Sequence, residues 1–152
     1  MVMKAAALSE LIVEIFRVNG RLLAAGDRLV ADLGLTSARW QVIGAVALAG
    51  QPQTGPAIAR TMGLTRQAVQ RLVNELAADG LLEARPNPGH RRAHLFALTE
   101  RGQTAFADAA ARQAPWVETV AAGLSTEEIK AAEALLRRLR GGLEAQQSTQ
   151  EA

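Results

Sequence analysis

Two short helical patterns separated by Gly63-Leu64-Thr65 occupy the middle of this 152-residue chain, and the segment GPAIARTMGLTRQAVQRLVNEL constrains the fold more than any other. Pro56 suits the first position of a helix reaching about Met62, because its missing amide hydrogen would have no helical partner there. Gly63 ends that helix, Thr65 caps the next, and Gly80 stops it after Asp79. Ala59 is small where two helices must approach closely, and Ile58, Leu64, Val69 and Leu72 supply a shared apolar core. That spacing is the spacing of a helix-turn-helix.

The second helix of the pair has two chemically distinct faces. Advancing roughly 100° per residue, Arg66, Gln67, Gln70, Arg71 and Asn74 fall on one side, and Ala68, Val69, Leu72, Val73 and Leu76 on the other. A generic surface helix would carry Glu and Lys on its wet face. Amides pair with adenine edges, and guanidinium groups with guanine or phosphate, so this face fits the major groove of DNA. Gln67, Gln70 and Asn74 lie centrally, with Arg66 and Arg71 flanking them and Thr65 at the helix start.

Leu81 to Arg85 and Arg92 to Leu98 bracket the turn-forming Pro86-Asn87-Pro88-Gly89 and predict a β-hairpin. Its tip carries His90, Arg91 and Arg92 immediately after the helix-turn-helix, where a wing would reach the minor groove. The charge follows the same geography. Net charge is only +2, but residues 52–98 hold six Arg against Glu75, Asp79 and Glu83, for +3.

Helical spacing from about Ala7 to Leu33 predicts a long amphipathic helix. Thr36 is the N-cap of the next, with Leu35 and Trp40 as a hydrophobic staple. Thr99 starts another helix, which Pro115 is expected to kink or interrupt. Ser125 and Glu128 form a capping box for the last helix, whose stripe is Ile129, Leu135, Leu136, Leu139 and Leu143; the polar tail from Gln146 is expected to fray.

Composition narrows the alternatives. Aromatics are 3 %, and abundant Ala and Leu favour helices over a sandwich or barrel. There is no cysteine, which removes disulfides, thiolate metal sites, cysteine nucleophiles and thiol switches. The apolar run Val42 to Ala49 is too short to span a bilayer, and the Ala-rich start lacks a secretion pattern. The expectation is a soluble, cytoplasmic protein with no membrane partner. For catalysis the chain offers two histidines, no Tyr, no phosphate-binding Gly loop and no nucleophile elbow. His90, His94 and Glu83 lie on a turn and strands, not on a shared helical face, which disfavours a metal site. No catalytic residue, metal or cofactor is assigned, and an enzyme is the weaker alternative; a winged-helix module that binds protein instead of DNA is the other.

The order of these elements resembles the MarR family of transcriptional regulators. The resemblance rests on LTSARWQVIGAVAL, AIARTMGLTRQAVQRLVNELAADGLLEARP, HRRAHLFALTERG and GLSTEEIKAAEALLRRL, and covers nearly the whole chain. It implies a mainly α fold with a small β-hairpin wing, a winged helix-turn-helix with long N- and C-terminal dimerisation helices. Residues 1–152 would form one such unit, with dimerisation helices at 1–34 and 122–146, the DNA-binding region at 35–98 and a connecting helix at 99–121. It further implies a homodimer on palindromic double-stranded DNA, most often a repressor, released when a small aromatic molecule enters a cavity beside the reading head; Phe16 and Trp40 are the candidate ligand contacts. The family wing usually has Asp two residues before its groove-reaching Arg. Here that position is His90, before Arg92.

Overall fold

Three threonines each precede a helical pattern, and in the computed structural model, which describes residues 1–150, all three act as N-caps. The hydroxyl oxygens of Thr36, Thr54 and Thr65 accept hydrogen bonds from the amides of Arg39, Ala57 and Ala68 at 3.2, 3.2 and 3.1 Å. Each bond satisfies an amide that the helix itself leaves unpaired. The caps place helices α2 (Ser37–Ala49), α3 (Gly55–Met62) and α4 (Arg66–Ala78). Helix α1 (Val2–Val30) precedes them, followed by a 3-10 turn, Ala31–Leu33. Strands β1 (Gln53–Thr54), β2 (Leu82–Arg85) and β3 (Leu95–Leu98) lead to α5 (Glu100–Ala121) and α6 (Thr126–Gln150). The fold is mainly α with a small antiparallel sheet, as expected.

The chain divides into two compact units, Met1–Gln113 and the remainder from Ala114. In the first, Val30, Val42, Ile43, Ile58, Val69 and Leu76 are fully buried and join α1, α2, α3 and α4 in one core. α1 meets α2 through Ser37, the one buried polar residue of the described chain. Its Oγ donates to the Leu23 carbonyl at 2.7 Å, while its amide donates to Asp27 Oδ1 at 2.7 Å. Gly26 permits this approach, since a Cβ there would lie 2.2 Å from Ser37 Oγ.

The sheet has the order β1-β3-β2, with Gln53 opposite Phe96 and Arg85 opposite Leu95. The hairpin is thus joined by a third strand. A two-residue strand is too short to show an alternating pattern, so β1 left no sequence signal. β3 begins at Leu95 instead of Arg92, which lengthens the loop between β2 and β3. Thr99 Oγ1 accepts from Gly102 N at 3.0 Å and donates to the Gly80 carbonyl at 2.6 Å, pinning the start of α5 to the end of α4. Arg112 on α5 pairs with Asp32 of the 3-10 turn, and its guanidinium holds the Asp32 carboxyl below its usual value.

Several expectations about helix ends require correction. α1 starts at Val2, well before Ala7, and gives way to the 3-10 turn after Val30. α5 runs through Pro115 without a break. Only one N–H is lost there, and the Ala-rich flanks favour helix strongly enough to continue. α6 likewise extends to Gln150, past the expected fraying point at Gln146. In the second unit, Ser125 and Glu128 form the expected capping box: Ser125 N donates to Glu128 Oε2 at 2.8 Å and Glu128 N to Ser125 Oγ at 3.2 Å. No helix among the described residues is long and apolar enough to cross a membrane.

Two measurements check this packing. Replacing Gly102 by Ala would place a Cβ 2.0 Å from the Leu81 carbonyl oxygen. The expected loss is about 3 kcal/mol in urea unfolding, at the upper end of overpacking costs; an unchanged midpoint would contradict the observed approach. The Ser125 amide and hydroxyl hold Glu128 below its ordinary pKa. Its contribution is therefore present above the unfolded pKa and lost as pH falls through the folded one. Glu128→Gln should accelerate amide exchange over residues 125–129 at neutral pH, and the difference from wild type should close in acid.

Candidate nucleic-acid interface

Helix α4 is built so that burial of one face leaves the other presented. Val69, Leu72, Val73 and Leu76 are at most 3 % exposed. Arg66, Gln67, Gln70, Arg71 and Asn74 are all exposed. The thirteen-residue helix is about 20 Å long and about 10–12 Å across with its side chains, dimensions a major groove admits. α3 carries it: Ile58 and Ala59 are buried against the pair, Leu64 is half-buried, and Leu64 N donates to the Ala59 carbonyl at 3.0 Å. Gly63 makes the turn at φ 65°, a left-handed conformation that costs a residue with a Cβ.

The hydrogen-bonding capacity of the exposed face is partly arranged in advance. Gln70 Nε2 donates to Asn74 Oδ1 at 2.9 Å, leaving Gln70 Oε1 as an acceptor and the Asn74 amide nitrogen as a donor. One acceptor beside one donor is the pattern complementary to the adenine N6 and N7 edge. Arg71 pairs with Glu75 at 3.0 Å, with both side chains exposed. Such a pair is worth well under 1 kcal/mol and exchanges readily for a phosphate. Thr65 uses its oxygen as the N-cap acceptor, so its hydroxyl hydrogen remains available as a donor.

The loop between β2 and β3 has a defined tip. Gly89 N donates to Asn87 Oδ1 at 3.2 Å, His90 N to the Asn87 carbonyl at 3.1 Å, and Ala93 N to the His90 carbonyl at 3.2 Å. These bonds order the backbone and leave the side chains of His90, Arg91 and Arg92 exposed. Within the described residues the ion pairs involve neither Arg91, Arg92 nor Arg66. Arg85, lower on β2, is paired with Glu83. His94 is exposed in the loop, and no three of His, Asp and Glu gather as a metal site among the described residues.

The structure treats the two candidate ligand contacts differently. Phe16 is 71 % exposed on α1. Trp40 is half-buried against the core. An open recess of about 650 Å³ lies instead along Leu33, Leu81, Glu100, Arg101, Thr104 and Asp108, and neither aromatic lines it. Sequence reasoning also missed Thr54 as a cap and the ion pair between Arg39 on α2 and Asp79 at the end of α4. The signal for the latter was present: Asp79 is an acid at the negative end of a helix, where a cation is favoured.

Comparison with known proteins agrees with this geometry. The model of the MarR family matches residues 33–93, from the turn before α2 to the wing tip. Over 96 residues the chain is 41 % identical to uncharacterized proteins of Mycobacterium tuberculosis and Mycobacterium bovis, a stretch covering 63 % of this chain and 66 % of theirs. Among solved structures, a MarR-family transcriptional regulator from a Rhodococcus species superposes with a TM-score of 0.78 at 25 % identity, over 87 % of this chain and 93 % of that one. CouR from Rhodococcus jostii, bound to p-coumaroyl-CoA, superposes with a TM-score of 0.75 at 26 % identity, over 83 % and 88 %.

Proposed function

We propose that this chain, whose residues 33–93 match the MarR family model, is a winged-helix transcription regulator of that family that binds double-stranded DNA sequence-specifically, as a homodimer on a palindromic operator, acting as a cytoplasmic repressor. The observation that carries the reading is the exposed amide and guanidinium face of α4, opposite an apolar face at most 3 % exposed. Gln67, Gln70, Arg71 and Asn74 contribute specificity in the major groove. Thr65 and Arg66 meet the phosphates beside them, and His90, Arg91 and Arg92 reach the minor groove, where negative potential attracts guanidinium groups.

Dimerisation is supported by apolar surface that each helix displays. On α1, Leu8, Ile12 and Phe16 recur every four residues and are 42, 38 and 71 % exposed. On α6, Ile129, Leu135, Leu136 and Leu143 are 44 to 52 % exposed. Contiguous apolar stripes of this kind mark association surfaces. Two reading heads related by a twofold axis would meet half-sites about one DNA turn, roughly 10 bp, apart.

Release by a small aromatic molecule belongs to the same proposal; the support from CouR is that its structure holds an aromatic acyl group, carried on coenzyme A as p-coumaroyl-CoA. The effector must bind more tightly to a head arrangement that does not match the two grooves, since only differential affinity moves an equilibrium. Phe16 and Trp40 remain the proposed contacts for such a ligand.

Selection of bound duplexes from a random pool tests the reading, and substitutions then divide the contacts. Gln70→Ala should relax preference at one or two base pairs by about 1–3 kcal/mol each, whereas Arg92→Ala should weaken all sequences more evenly. Unchanged binding of every duplex by Gln70→Ala would remove that residue from the reading face. If each head neutralises about four phosphates, affinity should fall with salt at a log–log slope of roughly −7. A flat response, or no duplex binding in dilute salt, would favour a protein-binding module.

A further inference from the structure

The C-terminal end of α4 breaks a local rule. Carbonyl groups gather negative partial charge there, and cations in the last turn usually offset it. α4 has no basic residue in its last turn and is capped by an acid, Asp79. The compensating charge comes from elsewhere in the fold. Arg39, from the first turn of α2, pairs through Nη2 with the Asp79 carboxylate, and its Nη1 donates to the Gly34 carbonyl at 2.8 Å. Arg101, from the first turn of α5, donates from Nη1 to the Asp79 backbone carbonyl at 2.9 Å. Gly80, at φ 75°, leaves room for it: a Cβ there would lie 2.9 Å from Arg101 Nη1.

We infer that Arg39 and Arg101 clamp Asp79 to set the angle at which α4 presents its reading face, making Arg39 a positioning residue for recognition. This inference rests on the DNA-binding reading proposed above. α4 is held at its N-terminus by the Gly63 turn and the Thr65 cap. Its far end is seated by buried Leu76 and tied through Gly80 to Thr99, and on a rod about 20 Å long a residual swing of about 5° would still move that end by about 1.7 Å. Base-edge hydrogen bonds work within about half an ångström of distance. The same swing would move Gln70 and Asn74, about 6 and 12 Å along the rod, by about 0.5 and 1 Å, so a device that fixes the far end decides whether both amides keep hydrogen-bonding geometry at their base pair.

The detailed state of Arg39 agrees with a role in placement. Its side chain is 15 % exposed, and its Nε is buried without a hydrogen-bond partner. An apolar side chain would fill the same space without burying that N–H, so packing alone gives no reason for a guanidinium. What the fork supplies is direction: two of its nitrogens tie the Gly34 turn and the Asp79 cap to one rigid plane. Two residues earlier, Ser37 fastens the same turn of α2 to α1 through Leu23 and Asp27. The first turn of α2 thus joins α1 to the tip of the reading helix.

The test uses full-length wild type, Arg39→Gln, Asp79→Asn and the double variant. Each is measured against a duplex selected by the wild type and against duplexes whose half-site spacing is one base pair longer or shorter. The clamp predicts that wild type has a sharp spacing optimum, and that each single variant loses about tenfold there while losing less than threefold at the off-register spacings. The double variant should be no worse than either single one. Parallel weakening at all spacings, tracking the folded fraction, or an unchanged profile, would overturn the inference. Asp79 is 58 % exposed, so Asp79→Asn keeps the test available if Arg39→Gln folds poorly. Hydrogen exchange on the free proteins separates the two claims. Should wild type bind no duplex, the DNA reading fails, and the clamp is then decided by exchange over residues 76–81: at least tenfold faster in both variants supports it, and unchanged rates refute it.

Discussion

Burial of Val69, Leu72, Val73 and Leu76 is the interaction from which the rest of the molecule's arrangement follows. Each such side chain contributes about 1.5–3 kcal/mol when fully removed from water, far more than any exposed contact of the same helix. The hydrophobic effect has no preferred direction, but the helix does. Once that stripe is turned inward, the 3.6-residue repeat forces Arg66, Gln67, Gln70, Arg71 and Asn74 outward as a set. The polar face is oriented by what lies behind it, and it needs no partners of its own to be held in place.

What apolar burial does not fix is the angle of the helix in its seat, and short polar contacts address that. They lie at element ends: Thr65 at the start of α4, Asp79 and Thr99 near its finish, Ser37 and Asp27 where α1 meets α2. The distribution is physically sensible. A hydrogen bond contributes little net free energy when water is the competitor, but it has a narrow tolerance in distance and angle. Apolar contact supplies most of the stability, and polar contact selects among the packings it allows.

The same division explains what could be read from the chain beforehand. The Thr36 cap of α2, the Thr65 cap of α4, the Gly63 turn and the Ser125–Glu128 box depend on residues within four positions of one another, and all were legible. So was the two-faced character of α4, because periodicity is local. β1 was not, since two residues carry no pattern and its hydrogen bonds go to β3, some forty positions away. The 71 % exposure of Phe16 was not legible for a related reason: helical spacing identifies an apolar stripe but cannot say whether this chain or another molecule covers it. Of the kink or interruption expected at Pro115, the interruption does not occur, because one missing hydrogen bond is outweighed by a run of strong helix formers.

The modest net charge of +2 bears on how such a protein would divide its affinity. Attraction to the phosphates is the sequence-independent part of DNA binding, and it scales with the cations brought to the backbone. Here residues 52–98 have a surplus of three positive charges, while residues 99–152 have six basic and eight acidic side chains, a net −2 that repels phosphate at range. Arg71 and Arg85 are also held by Glu75 and Glu83 until a stronger anion displaces them. Among the described residues, the cations not engaged in ion pairs at the proposed interface are Arg66 at the start of α4 and Arg91 and Arg92 at the wing tip. On the DNA-binding reading proposed above, these cations would hold the protein on DNA of any sequence, and preference among sites would come from the placement of its amide face. That dependence is why the tilt of α4, more than the total charge, would govern which sites are occupied.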